Sequence, residues 1–181
     1  DTTRYPRFIR TCERLLKKER GVSFLDLGCS GGGMVLDAVL RGHLGIGLEG
    51  SDFSLVSQRA EWRLLKNNLF TCDIARPFSL IDETSGERQQ FDVITAWEVL
   101  EHIREENLPV LFENIRLHLK PNGIFVGSVA DWDDIDPQTG INWHCCVHPH
   151  TWWEAKVTSL GFDCHENWFS PYDMARGGIN H

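Results

Sequence analysis

The segment FLDLGCSGGG, residues 24–33, sets the Asp26 carboxylate two positions ahead of Gly28 and follows it with Gly31, Gly32 and Gly33. Glycines in such a loop let backbone N–H groups close on a ligand, and a carboxylate at its entrance suits a ligand that carries an ammonium group. A second concentration of chemistry runs from Trp97 to His102, WEVLEH. Glu98, Glu101 and His102 fall at i, i+3 and i+4, so on a helix all three project from one face and could chelate a hard divalent ion such as magnesium. A third, INWHCCVHPHTWWE at 141–154, holds His144, His148, His150 and the adjacent Cys145 and Cys146. Vicinal cysteines lack the C-x2-C spacing of a zinc site and point to different sides of an extended chain. That leaves His144 as the candidate base or ligand, while His148, next to Pro149, reads equally as a helix entry.

These residues need a frame, and the sequence predicts one. Phe8, Ile9, Cys12, Leu15 and Leu16 recur at helical spacing, with Gly21 as the stop. VSFLDL (22–27) is a short apolar run with the character of a buried parallel strand, and GMVLDAVLRG after the glycine loop reads as a helix closed by Gly42. HLGIGLE (43–49) is a second strand, and SDFSLVSQRAEWRLLKNN (51–68) reads as one helix opening on a Ser-Asp cap. Leu69 to Cys72 is a third strand, 74–90 a polar connection, and FDVITAW (91–97) a fourth strand. Leu108, Leu111, Phe112, Ile115 and Leu119 share one helical face, stopped by Pro121 and Gly123, before a fifth strand, GIFVGSVA (123–130). Residues 131–148 form a loop, with WDDIDPQ expected to act as an acidic lid. A helix from Pro149 then buries Trp153, Val157 and Leu160, and FDCHENWF (162–169) is a last strand. Strands alternating with helices imply an α/β fold with a doubly wound, mostly parallel sheet, whose ligands sit beyond the carboxyl ends of the strands.

Composition narrows the function. At 181 residues with 41% apolar and 10% aromatic content, the chain suits a single domain with a real core. It divides into a lead-in helix (1–21), a cofactor-binding core (22–130) and an acceptor-side loop, helix and final strand (131–181). A net charge of −8 and a pI near 5.4 argue against a nucleic-acid partner, which needs clustered Lys and Arg. No apolar run approaches the ~18 residues of a membrane span, DTTRYPRF is no secretory signal, and six irregularly placed cysteines read as reduced thiols. A soluble, cytoplasmic protein is expected, and a start at Asp1 without Met reads as part of a longer chain.

Two cofactor readings compete for the glycine loop. A dinucleotide fingerprint, G-x-G-x-x-G, is met at Gly28 and Gly33, but Ser30 stands where a glycine lets the backbone approach pyrophosphate, and Asp26 disfavours a dianion there. FLDLGCSGGG instead resembles the S-adenosylmethionine loop of class I methyltransferases, roughly (D/E)-x-G-x-G-x-G, with Ser30 replacing the middle glycine. The resemblance covers residues 22 to 130 and implies a Rossmann-like, seven-stranded-type sheet, of which the last strand is expected to be missing here. It implies cofactor contacts from Asp26, Gly28, Cys29, Ser30 and Gly31. Glu49, with Gly50 and Ser51 after it, resembles the acid that accepts both ribose O–H bonds. Cys72-Asp73-Ile74 resembles the adenine-contact segment, and FDVITAWEVLEHI, with Trp97 and Glu98, the motif that passes the methionine end.

The same resemblance bears on the methyl acceptor. The Pro-Pro-aromatic and Pro-Cys signatures of DNA-methylating members are missing after the fourth strand, which favours a small molecule or glycan, methylated on oxygen. The E-x-x-E-H run resembles that of metal-assisted members, in which a later histidine, here His144 or His148, completes the site. In other members the LEH histidine packs beneath the cofactor pocket. His144 and His102 are therefore the catalytic candidates, and Glu98, Glu101, His102 and His144 the metal candidates. An NAD-type oxidoreductase and a catalytically silent cofactor-binding subunit are the alternatives.

Overall fold

The computed structural model describes residues 3–165 and 167–174. Five strands form one parallel sheet in the order β3-β2-β1-β4-β5. They are β1 (Ser23–Leu27), β2 (Leu44–Glu49), β3 (Leu69–Thr71), β4 (Phe91–Trp97) and β5 (Leu119–Ser128). The helices are α1 (Pro6–Leu16), α2 (Gly33–Leu40), the short α3 (Phe53–Val56), α4 (Leu108–His118) and α5 (His150–Ser159). Every residue of β1 and β4 is buried, as expected for central parallel strands covered on both faces. Side chains alternate between those faces. Phe24 and Val93 pack with Phe8, Ile9 and Cys12 of α1 and with Met34 and Ala38 of α2. Leu25, Leu27, Ile94 and Ala96 pack with Leu108, Leu111, Phe112 and Ile115 of α4 and with Trp153 of α5. Each such Leu or Phe contributes roughly 1.5–3 kcal/mol by leaving water.

Four sequence expectations are corrected. The lead-in helix ends at Leu16, where Lys17 takes a left-handed φ of 54°, and Leu15 stays 42% exposed. The single helix expected over 51–68 is broken: α3 covers one turn, Gln58 and Ala60 have φ of 50° and 47°, and a 3-10 turn follows at Ala60–Arg63. The break swings Trp62 beneath the glycine loop, where tertiary contacts override the local preference for helix. β5 begins at Leu119 rather than 123, with a register shift against β4 between Phe91 and Val93. The described residues of 162–169 form no strand, so the sheet has five strands among the described residues.

The amino-terminal end of the sheet is fastened by a polar cluster. Asp92 on β4 accepts bonds from Ser23 N–H and Oγ–H and from the ammonium groups of Lys18 and Lys120. Burial pushes the Asp92 carboxyl up, but the two lysines together with the Ser23 hydrogen bonds outweigh it and hold it well below the usual carboxylate range. This cluster lies at the opposite end of β4 from the segment that bears Glu98 to His102. Among the described residues no helix is long and apolar enough to cross a membrane.

Candidate active site

β1 delivers Asp26 to the centre of the sheet, opposite Gly47 of β2 and Thr95 of β4. The carboxylate is 3% exposed and accepts a 2.8 Å bond from Thr95 Oγ–H. Burial pushes its pKa up to about 7, against the pull of Thr95 and with a further push from the Glu49 charge. Among the described residues no basic side chain offsets that charge. After β1 the chain turns through Gly28 (φ 69°), Ser30 (φ 48°) and Gly32 (φ 85°) into α2. Glu49, closing β2, reaches across to this loop: its Oε2 accepts from Ser30 N–H at 2.8 Å and its Oε1 from Ser51 N–H at 3.4 Å. Gly50 separates the two groups that bridge this turn.

The loop is braced from below. Trp62 Nε1 donates to Ser30 O at 2.8 Å and Glu61 N–H to Gly31 O at 3.0 Å. Cys29 N–H donates to Leu48 O and Cys29 O accepts from Gly32 N–H, so both backbone groups of Cys29 are engaged within the fold. Its side chain is 1% exposed, among Val35, Trp62, Leu65 and Leu69, and burial pushes the thiol far up, which marks a packing residue rather than a nucleophile. A Cβ on Gly47 would stand 2.8 Å from Cys29 Sγ, so this strand position needs glycine for the loop to settle. Ser30 carries a left-handed φ that costs a residue with a Cβ roughly 1 kcal/mol. Ser30→Gly is expected to raise the midpoint of thermal unfolding by about 2–4 °C, read by calorimetry; an unchanged or lower midpoint would show that the serine is not strained.

The remaining predicted cofactor residues fall into two groups. Cys72 N–H donates to Glu49 O at 2.8 Å, which keeps the segment after β3 beside the Glu49 turn. Asp73 is exposed, accepts from Ala75 N–H and pairs with Arg76, while Ile74 is 7% exposed within the main core. Trp97 is packed within the α1 side of the core: its ring stacks on Tyr5 with centroids 4.7 Å apart and meets Phe8 edge-on, and its Nε1–H donates to Met34 Sδ at 3.4 Å.

The helix expected at WEVLEH does not form there as predicted. Glu98 adopts φ 54°, its N–H is taken by Ser128 of β5, and only Leu100–His102 coil, as a 3-10 turn. Glu98 is thereby removed from the face it was expected to share. What converges instead is Glu101, His102 and His144, each offering a ligand atom within 4.8 Å of the others. Glu101 is fully buried; its Oε1 accepts from Ala130 N–H, its Oε2 has no hydrogen-bond partner, and burial raises its pKa. Its backbone carbonyl accepts from both Cys145 N–H and Cys146 N–H, which hangs the loop after β5 on the segment after β4. Because a carbonyl can only accept, His102 Nδ1–H donates to Trp143 O at 2.8 Å and His144 Nδ1–H to Trp132 O at 2.6 Å. His148 stacks on Trp152 at the entry to α5, outside this group.

Several contributors escaped the sequence reading. Thr95 was legible in principle, as a hydroxyl inside a wholly buried strand. Trp62 had no local signal. Nor had Thr3, whose Oγ accepts from Gly33 N–H at 3.0 Å and lays the chain ahead of α1 over the start of α2, fixed by the Arg4–Asp37 pair.

A parallel sheet whose first strand ends on a buried carboxylate and a glycine loop, beside a strand closed by a second carboxylate, defines a doubly wound nucleoside-cofactor fold. The methyltransferase-domain family profile matches residues 2–160. The chain belongs to that family. Among solved structures, the PH0226 protein from Pyrococcus horikoshii OT3 superposes with a TM-score of 0.59 at 23% identity, over 83% of this chain and 79% of that one. A TehB-like SAM-dependent methyltransferase from Corynebacterium glutamicum ATCC 13032 gives 0.58 at 17%, over 87% and 72%. An S-adenosylmethionine-dependent methyltransferase from Clostridium acetobutylicum ATCC 824 gives 0.53 at 19%, over 76% and 58%. The chain thus spans little more than half the length of the first structures it matches. No curated protein matches it in sequence.

Proposed function

We propose that the chain is a single S-adenosylmethionine-dependent methyltransferase domain, transferring methyl to an oxygen of a small molecule or glycan. The observation that carries this reading is Asp26: a carboxylate held 3% exposed beneath a glycine loop, with no basic side chain to offset it among the described residues, is stabilised by a cationic ligand. The donor brings an ammonium and a sulfonium. Glu49, already against Ser30 N–H, retains lone pairs for two ribose hydroxyls. Gly28, Ser30, Gly31, Gly50 and Ser51 form the adjoining backbone, and Asp73 with Ile74 the adenine side. Glu98 contributes through its carbonyl, its N–H being spent on Ser128. Methyl transfer is an in-line displacement for which the protein mainly holds donor and acceptor in register.

The acceptor side lies beyond β4 and β5, where His144 and His102 stand against an incoming hydroxyl, as base or as ligand. Trp132 and Trp143, 58% and 53% exposed, flank these histidines and offer flat apolar faces to a ring or sugar. The acidic net charge and the missing DNA-methylation signatures support a small acceptor over a nucleic acid.

Calorimetry with S-adenosylhomocysteine and NAD tests the donor. Micromolar binding of the former and none of the latter is expected; the reverse result would make the chain an NAD-type oxidoreductase. Transfer of labelled methyl to an acceptor in a metabolite and oligosaccharide screen separates an active enzyme from a silent binding subunit.

A further inference from the structure

We infer that Glu101, His102 and His144 bind one transition-metal ion of the zinc class. Two imidazoles and one carboxylate converge within 4.8 Å, and their remaining bonds leave one ligand atom free on each. Glu101 Oε1 is committed to Ala130 N–H, while Oε2, on a side chain with 0% exposure, has no partner. Leaving a buried carboxylate oxygen unpaired is costly, and a cation beside it removes the cost. Each histidine gives its Nδ1–H to a backbone carbonyl, Trp143 O for His102 and Trp132 O for His144. That fixes the tautomer with the Nε2 lone pair outward and raises its basicity, the arrangement found around metal-bound imidazoles.

The donor set decides which ion. Magnesium takes oxygen ligands in an octahedron, and this cluster supplies a single oxygen. Two nitrogens and one carboxylate oxygen suit zinc, cobalt, iron or manganese, with coordination positions left open. Ligands about 2 Å from one ion stand roughly 3–4 Å apart, so assembly asks for a small rotation of the exposed His102 ring while Glu101 and His144 are already held. Glu98 is no part of the set, because the ligand atoms that converge are those of Glu101, His102 and His144. What the ion does for an acceptor oxygen rests on the methyl-transfer reading; whether it binds does not.

The test is a cobalt(II) titration of protein first stripped with chelator, followed by visible absorption, with zinc and magnesium as competitors. One cobalt per chain at micromolar affinity or tighter is expected, displaced by zinc and indifferent to magnesium in about a thousandfold excess. His102→Ala, His144→Ala and Glu101→Gln each lower cobalt affinity by about 100-fold, and Glu98→Ala by less than about threefold. His102 is exposed, so His102→Ala stays informative even if Glu101→Gln fails to fold. No cobalt spectrum, a spectrum intact in His102→Ala, equal competition by magnesium, or a thiolate band lost in Cys145→Ser would overturn the site. Donor calorimetry on the stripped protein reports separately on the methyltransferase reading.

Discussion

Asp26→Asn is expected to weaken S-adenosylhomocysteine binding by on the order of 300-fold at pH 8 while making the ligand-free protein more stable. The two effects share one cause. A buried carboxylate opposite a ligand ammonium is worth about 2–5 kcal/mol when one partner is truncated. The same carboxylate, unliganded, is ionised at a cost, which is why its pKa stands at about 7, raised first by burial and then by the Glu49 charge. A group raised in the folded state binds protons more tightly there than in the unfolded chain. Its stabilising contribution is therefore complete below about 3.8 and is lost as pH rises through about 7. The displacement from 3.8 to about 7 sets a ceiling of about 4 kcal/mol on the penalty at pH 8. Asparagine keeps the Thr95 hydrogen bond and removes the penalty, so the variant melts higher than the wild type at pH 8, and the difference shrinks towards pH 5. In the wild type, donor affinity climbs as pH rises through about 7 until the ligand's own ammonium loses its proton; in Asp26→Asn that climb disappears. Calorimetry and thermal melts at pH 5.5, 7 and 8 measure all three. Unchanged donor affinity in the variant would sink the donor reading, and a lower melting point at pH 8 would sink the burial argument.

Gly28→Ala is expected to cost about 3 kcal/mol of stability, or roughly 10 °C in the melting midpoint. Gly28 has φ +69°, and a Cβ there would stand 2.4 Å from Val99 Cγ2 and 3.3 Å from Cγ1. The left-handed backbone accounts for about 1–2 kcal/mol and overpacking against Val99 for about 1–3. The steric part is separable, because Val99 carries the offending methyls. Gly28→Ala combined with Val99→Ala should be at least about 1 kcal/mol more stable than the sum of the single effects predicts. Denaturant titration of the four proteins in the cycle decides this, and simple additivity would show that the loop relaxes away from Val99.

How far the sequence foretold this structure depends on where each preference originates. β1 and β4 were legible because burial on both faces leaves no polar alternation to confuse with a helix, and their buried runs match the apolar runs in sequence. The segment 51–68 was not legible. Its apolar residues follow a helical rhythm, yet Phe53, Val56 and Leu64 are 62%, 76% and 66% exposed, and the contact that breaks the helix joins Trp62 to Ser30 from a distant part of the chain. The i, i+3, i+4 argument for Glu98, Glu101 and His102 failed for a related reason: it presumed helix at Glu98, whose N–H is claimed by the neighbouring strand. His144 was nominated as the later histidine that the E-x-x-E-H resemblance calls for, and it is the loop after β5 that carries it to Glu101. The strap formed by Thr3 left no mark in the periodicity because its partner is the backbone of Gly33.

The stretch between Asp134 and Trp143 closes on itself. Asp136 N–H donates to Ile141 O, Gly140 N–H to Asp136 O, and Trp143 N–H to Asp134 O. Its base is clamped by the two imidazoles through the carbonyls of Trp132 and Trp143. The tip is thus closed by its own backbone hydrogen bonds, so an exchange of residues between Asp134 and Trp143 is expected to leave the Asp26–Thr95 and Glu49–Ser30 bonds at the glycine loop unchanged.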